Sequence, residues 1–175
     1  MCGFVGFMGG VASNEPSGDE SVLLRMANTI KTRGPDDAGY WADSDCRIGL
    51  GHRRLSIVDL SPAGHQPMVS GSGRYVMVYN GEIYNHLDLR GDLEKGGSPH
   101  PNPPPVGEGV KHWMGHSDSE TLLAGFDVWG IQGMVDQCIG MFAFAVWDKQ
   151  TRTLTLGRDR LGEKPLYYGW QGQGQ

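Results

Sequence analysis

A chain of 175 residues with 38% hydrophobic content can bury a substantial core as one domain, and no second folded unit is expected. A net charge of −5 with both signs interspersed argues against nucleic acid as a main partner, because phosphate binding needs a basic surface. No apolar run is long enough to span a membrane, and the start lacks the basic-then-apolar order of a secretory signal, so a cytoplasmic location without a membrane partner is expected.

The chain begins Met1-Cys2-Gly3-Phe4-Val5-Gly6, which puts a thiol one residue from the start. If Met1 is trimmed, Cys2 carries both a sulfur nucleophile and a free α-amine, a catalytic pair within one residue. The competing reading is an inert cysteine at the head of a strand. Cys2, Cys46 and Cys138 are odd in number and form no CxxC pair, so neither a disulfide framework nor a zinc site is expected. Glycine, at 28 residues, is about twice its usual share and implies many tight turns.

Phe4 to Met8 reads as a buried strand closed by Gly9-Gly10. Ser17 and Glu20 have capping-box spacing, and Val22, Leu23, Met26, Ala27 and Ile30 recur at helical spacing, predicting a helix over 19–32 that Gly34-Pro35 stops. Residues 38–43 and 46–52 read as strands joined at Asp43-Ser44-Asp45, followed by a Pro- and Gly-punctuated loop ending near Pro67. Tyr75 to Tyr79 reads as a strand running into a tight turn at Asn80-Gly81. Leu87, Leu89 and Leu93 predict a short helix ending at Gly96. The proline-rich run 97–109 admits neither helix nor interior strand and reads as a surface insertion. Ser117 and Glu120 again have capping-box spacing, ahead of a helix lined by Leu122, Leu123, Phe126 and Trp129. Residues 139–147, 153–158 and 165–169 read as strands. Helices in blocks, without βαβ alternation, favour an α+β layered fold with mainly antiparallel sheets.

Four further segments could complete a site around Cys2. Arg54 could hold a carboxylate through two parallel hydrogen bonds, although a surface ion pair is the commoner role for a single arginine. Asn80 and Gly81 could aim an amide and a backbone N–H at a developing oxyanion, or form only a hairpin turn. Glu82 and Asp118 could hold an ammonium, or Asp118 could simply complement a helix dipole. A metal site on His112, His116 and Asp118 is conceivable from spacing, but six scattered histidines are ordinary and no metal is expected.

Taken together, the stretches Met1-Cys2-Gly3, Arg33-Gly34-Pro35-Asp36, Arg54-Leu55-Ser56-Ile57-Val58-Asp59, Asn80-Gly81-Glu82-Ile83-Tyr84-Asn85, Ser117-Asp118-Ser119-Glu120, Gly140-Met141-Phe142-Ala143-Phe144-Ala145 and Gly157-Arg158-Asp159-Arg160-Leu161-Gly162 resemble, in order and wording, a known family. It is the type-2 glutamine amidotransferase domain of glutamine-hydrolysing asparagine synthetases, an N-terminal nucleophile hydrolase. The resemblance implies an αββα sandwich of two antiparallel sheets. It also implies that Cys2 attacks the side-chain amide of L-glutamine, with Asn80 and Gly81 forming the oxyanion hole. By the same resemblance, Arg54 holds the substrate carboxylate, Leu55, Ser56, Ile57 and Val58 line that end of the pocket, and Glu82 and Asp118 hold the ammonium.

Two departures from the family pattern bear on these expectations. The family's second domain would begin beyond Gly169, so no ATP or magnesium site is expected in this chain; it reads either as a fragment or as half of a split enzyme with a separate synthetase chain as partner, and a homodimer is left open. The run 97–109 is longer than the family's usual connection and lies between two residues assigned to one end of the pocket. The competing readings are a non-catalytic remnant that binds glutamine or a partner without turnover, and delivery of ammonia to another acceptor.

Overall fold

The computed structural model describes residues 2–9, 16–56, 64–96 and 112–170, with only the backbone of residues 16–19. Met1, Ile57, Val58 and the 97–109 run lie outside the described residues. The elements follow as β1 (Gly3–Met8), α1 (Pro16–Thr29), a 3-10 turn (Lys31–Arg33), β2 (Asp37–Asp43), β3 (Ile48–Arg54), β4 (Met68–Val69), β5 (Tyr75–Ile83), α2 (His86–Glu94), α3 (Asp118–Gln137), β6 (Gly140–Asp148) and β7 (Thr153–Arg158).

Among the described residues every strand pairing is antiparallel. One sheet has the order β1-β3-β2 and the other β4-β5-β6-β7. Strand periodicity then decides the stacking, because successive side chains point to opposite faces. On β5, Val76 and Val78 join Ile48 and Leu50 of β3 and Ala145 and Trp147 of β6 in one buried cluster, which is the seam between the sheets. The alternate residues Tyr75, Met77, Tyr79 and Ile83 join Leu89 and Leu93 of α2 and Leu122, Phe126 and Trp129 of α3 in the second core. On the far side of the first sheet, α1 packs Leu23 against Gly49 of β3. The result is the α+β, four-layer αββα arrangement that the resemblance implied.

Several local expectations need correction. The first helix starts at Pro16, where a missing N–H is harmless, so Ser17 lies within it and is not its cap. It ends at Thr29, and a separate 3-10 turn follows at Lys31–Arg33. The second hairpin strand starts at Ile48, with the turn running through Arg47, whose φ is 50°. Asn80-Gly81 is not a turn. β5 continues to Ile83, with Asn80 opposite Ala143 and Gly81 opposite Phe142, because nine-residue pairing to β6 outweighs a dipeptide's turn preference. Residues 165–169 form no strand, and Tyr167 and Tyr168 are exposed. Ser117 caps α3 by accepting from Glu120 N at 3.3 Å, but the Glu120 carboxylate reaches back to Met114 N and Gly115 N, not to Ser117.

Candidate active site

The cysteine end of the first sheet is fixed by backbone register. Gly3 pairs with Arg53, so Cys2 extends β1 alongside Arg54 and Leu55. Leu55 N–H donates to Cys2 Sγ at 3.4 Å, and the sulfur lies 3.7 Å from Leu55 O. Arg33 Nε donates to the Cys2 carbonyl at 3.2 Å. Asp36 N donates to Arg54 O at 3.0 Å, and Ser56 N donates to Asp36 Oδ2 at 2.8 Å. The Arg33–Asp36 turn therefore braces both Cys2 and the end of β3. Arg54 is buried, with its guanidinium packed against Gly64.

Across the seam, β3 and β5 advance toward the same end. Ile48 and Leu50 share a cluster with Val76 and Val78, and His52 meets the Tyr79 carbonyl at 3.1 Å. The next residues on these facing sides are Arg54 on β3, with Cys2 beside it, and Asn80 and Glu82 on β5. Asn80 is buried and Glu82 exposed.

The outer edge of β5 explains Gly81. In an antiparallel strand the polar groups of alternate residues point to alternate neighbours. Odd-numbered β5 residues turn away from β6, but β4 is only two residues long and pairs only with Val76 and Met77. Beyond it, side chains replace the missing strand. Gln66 Oε1 accepts from Tyr79 N at 2.6 Å, and Asp118 Oδ2 accepts from Ile83 N at 2.9 Å. Gly81 lies between these two, its N–H directed away from β6 on an edge that no strand covers among the described residues.

Asp118 does more than complement a helix dipole. Its Oδ2 also accepts from the Tyr79 hydroxyl at 2.7 Å, and its Oδ1 from Ser119 N at 2.9 Å. Burial, reinforced by Asp118, pushes the Tyr79 phenol well above its ordinary pKa, so it remains a donor. The N-terminal end of α3 thus sits against the odd-residue face of β5. Sequence reasoning missed the supporting residues Arg33, Asp36, His52, Gln66 and Tyr79, whose partners are far along the chain. Only the Arg33–Asp36 wording pointed to any of them.

A cavity of about 370 Å³ lies elsewhere, between β4 and α3, lined in part by Met68, Trp113, Leu123 and Asp127. It holds none of the residues around Cys2, and its carboxylates are already engaged: Asp127 by Ser72 N and Oγ, Glu120 by Met114 N and Gly115 N. The Cys2 end of the seam is the better candidate, because the register sets the thiol beside the Arg54 cation, and His52 links that strand to β5 one residue before Asn80. Among the described residues no group of three or more His, Cys, Asp or Glu could hold a metal, and no helix is long and apolar enough to cross a membrane.

The family model described as a glutamine amidotransferase domain matches residues 1–175. The chain belongs to this family. A relative from Mycobacterium bovis named as a putative glutamine-hydrolysing asparagine synthetase is 37% identical over 180 residues, covering 95% of this chain and 25% of that protein. Asparagine synthetase [glutamine-hydrolyzing] 2 of Bacillus subtilis is 38% identical over 168 residues, covering 96% of this chain and 20% of its own length. A Gibberella zeae protein named amidase chry2 is 34% identical over 175 residues, covering 96% of this chain and 24% of that protein. This glutamine amidotransferase domain therefore spans a fifth to a quarter of the length of these curated relatives. Two of these three relatives are named as glutamine-hydrolysing asparagine synthetases, and the third is named as an amidase.

Proposed function

We propose that this amidotransferase domain hydrolyses L-glutamine to glutamate and ammonia through a Cys2 thioester. The observation that supports the reading is the register that sets Cys2 beside Arg54 on one sheet, together with the contact of His52, two residues before Arg54, with the carbonyl of Tyr79, the residue before Asn80, on the other. Removal of Met1 frees the Cys2 α-amine, which takes the thiol proton as sulfur attacks the amide carbon. Asn80 and Gly81 N–H stabilise the oxyanion of the tetrahedral intermediate. The C–N bond breaks, the amine returns the proton to the leaving group, and ammonia departs. Water then attacks the thioester, restoring the thiol and releasing glutamate.

In this reading Arg54 pairs with the substrate carboxylate, Leu55 to Val58 line its end of the pocket, and Glu82 and Asp118 take the ammonium. This division leaves the uncharged amide to the thiol–amine pair. Residues 1–175 form one domain with an insertion at 97–109. The ammonia serves ATP-dependent asparagine synthesis from aspartate by a synthetase part, on another polypeptide or on a longer form of this chain, where ATP and magnesium act.

Intact-mass measurement and glutamate release from glutamine test the proposal. Protein lacking Met1 should release glutamate, and Cys2→Ala should abolish release while keeping an unchanged thermal transition. Calorimetric glutamine binding by correctly processed wild type without any release would instead establish a non-catalytic binding domain.

A further inference from the structure

One side chain crosses the seam beside the candidate site. His52 is only 1% exposed, and it stands on β3 directly opposite Phe4 of β1 and two residues before Arg54. Its Nε2 lies 3.1 Å from the carbonyl oxygen of Tyr79, the residue before Asn80. A carbonyl only accepts, so Nε2 carries the proton. Nδ1 is then a buried acceptor without a hydrogen-bond partner among the described residues.

That orphan atom is informative. An acceptor buried without a donor is unfavourable, and an aliphatic side chain would fill the same space without the cost. The compensating gain lies at Nε2. Among the described residues Tyr79 has no strand partner on its outer edge, and both its backbone groups are held by side chains, the N–H by Gln66 and the carbonyl by His52. Of the two, His52 alone belongs to the strand that pairs with β1 and carries Arg54.

We propose that His52 is a positioning residue for glutamine hydrolysis: its Nε2–H clamps the Tyr79 carbonyl and fixes the Asn80 amide and Gly81 N–H relative to Cys2. The proposal rests on the hydrolytic reading above. It assigns His52 no contact with substrate. Loss of the clamp lets the β5 edge shift, and donors that meet the transition-state oxyanion then lose alignment. The ground-state contact at Arg54, on β3, persists. The effect therefore falls on kcat more than on KM.

The test compares wild type, His52→Leu and His52→Gln in the full chain after confirmed loss of Met1. Gln carries a donor able to reach the same carbonyl, whereas Leu only fills space. His52→Leu should lower kcat by about tenfold or more with KM for glutamine within about threefold, and His52→Gln should recover most of the loss. Hydrogen exchange supplies a readout independent of turnover. The segment 78–83 should exchange faster in His52→Leu than in wild type and His52→Gln, with 153–158 unchanged. Unchanged exchange in His52→Leu overturns the clamp whether or not the protein turns over. So does a loss confined to KM, or a Gln variant no better than Leu. Altered exchange at 78–83 alongside an inactive wild type would keep the clamp and discard the hydrolytic reading, and with it any catalytic role for His52.

Discussion

At Gly34 the requirement is space. A side chain there would overlap the Arg53 carbonyl and crowd the Arg54 nitrogen, all of it backbone that cannot rotate away. The same short turn supplies Arg33 Nε to the Cys2 carbonyl and Asp36 to both Arg54 O and Ser56 N. Gly34→Ala should therefore push the end of β3 and displace Cys2 and Arg54 together. The expected outcome is a stability loss of about 1–3 kcal/mol with kcat/KM for glutamine down by about tenfold or more. Urea unfolding and steady-state kinetics would check it; wild-type values in both would show that the turn does not set the nucleophile's position. None of this was legible from the glycine alone. The motif's wording marked the stretch, but its partners are about twenty or more residues away, and sequence spacing carries no such distances. The same holds for His52 and Tyr79, which are 27 residues apart.

At the scale of elements, helix α3 was the most legible part of the chain. Leu122, Leu123, Phe126 and Trp129 recur at helical spacing, and all four are buried. Its N-cap was legible too, because the Ser117 hydroxyl and the Glu120 amide are local partners. The misread elements failed for a common reason. Asn-Gly favours a turn in isolation, yet long-range pairing with β6 holds it extended, while the aromatic run at 165–169 has strand-like composition but pairs with no strand among the described residues. The cap has a functional consequence, since the residue after it, Asp118, reaches Tyr79 and Ile83. Arg90 reinforces the same point through the carbonyls of Gly115 and Ser117 at 2.9 and 3.1 Å. Ser117→Ala should cost about 1 kcal/mol of stability. It should also raise KM for glutamine with little change in kcat, because Asp118 is assigned to the substrate ammonium. A kcat loss at constant KM would move Asp118 from substrate holding to the reacting end.

For the molecule as a whole, the seam between the sheets sets the response to acid. Burial pushes the His52 imidazole down to about 4 from an ordinary 6.5; the Tyr79 carbonyl opposes this, Arg54 adds to it, Asp37 opposes it and His65 adds to it. His52 thus stays neutral in the fold, whereas the unfolded chain takes up a proton below about pH 6.5. Unfolding binds the extra proton, so stability falls as pH drops from 6.5 toward 4, by on the order of 3 kcal/mol for this group. The carboxylates act lower. Arg74, donating from Nε and Nη2 to Asp148 at 3.0 and 2.6 Å, holds that acid well below its ordinary range. Asp159 is also lowered: burial opposes this, but backbone N–H groups of Lys164, Glu163 and Phe142 outweigh it. Groups of this kind stabilise the fold above a pH of about 4 and lose that contribution only below it. Two stages of acid destabilisation follow, the first belonging to the histidine and the second to the carboxylates. Urea midpoints measured at pH 8, 6, 5 and 4 should fall for wild type through the upper window, whereas His52→Gln should stay nearly level from pH 8 to 5 and decline only with the carboxylates. Parallel curves for the two proteins would mean that the seam admits the proton without unfolding, and that His52 does not govern the first stage.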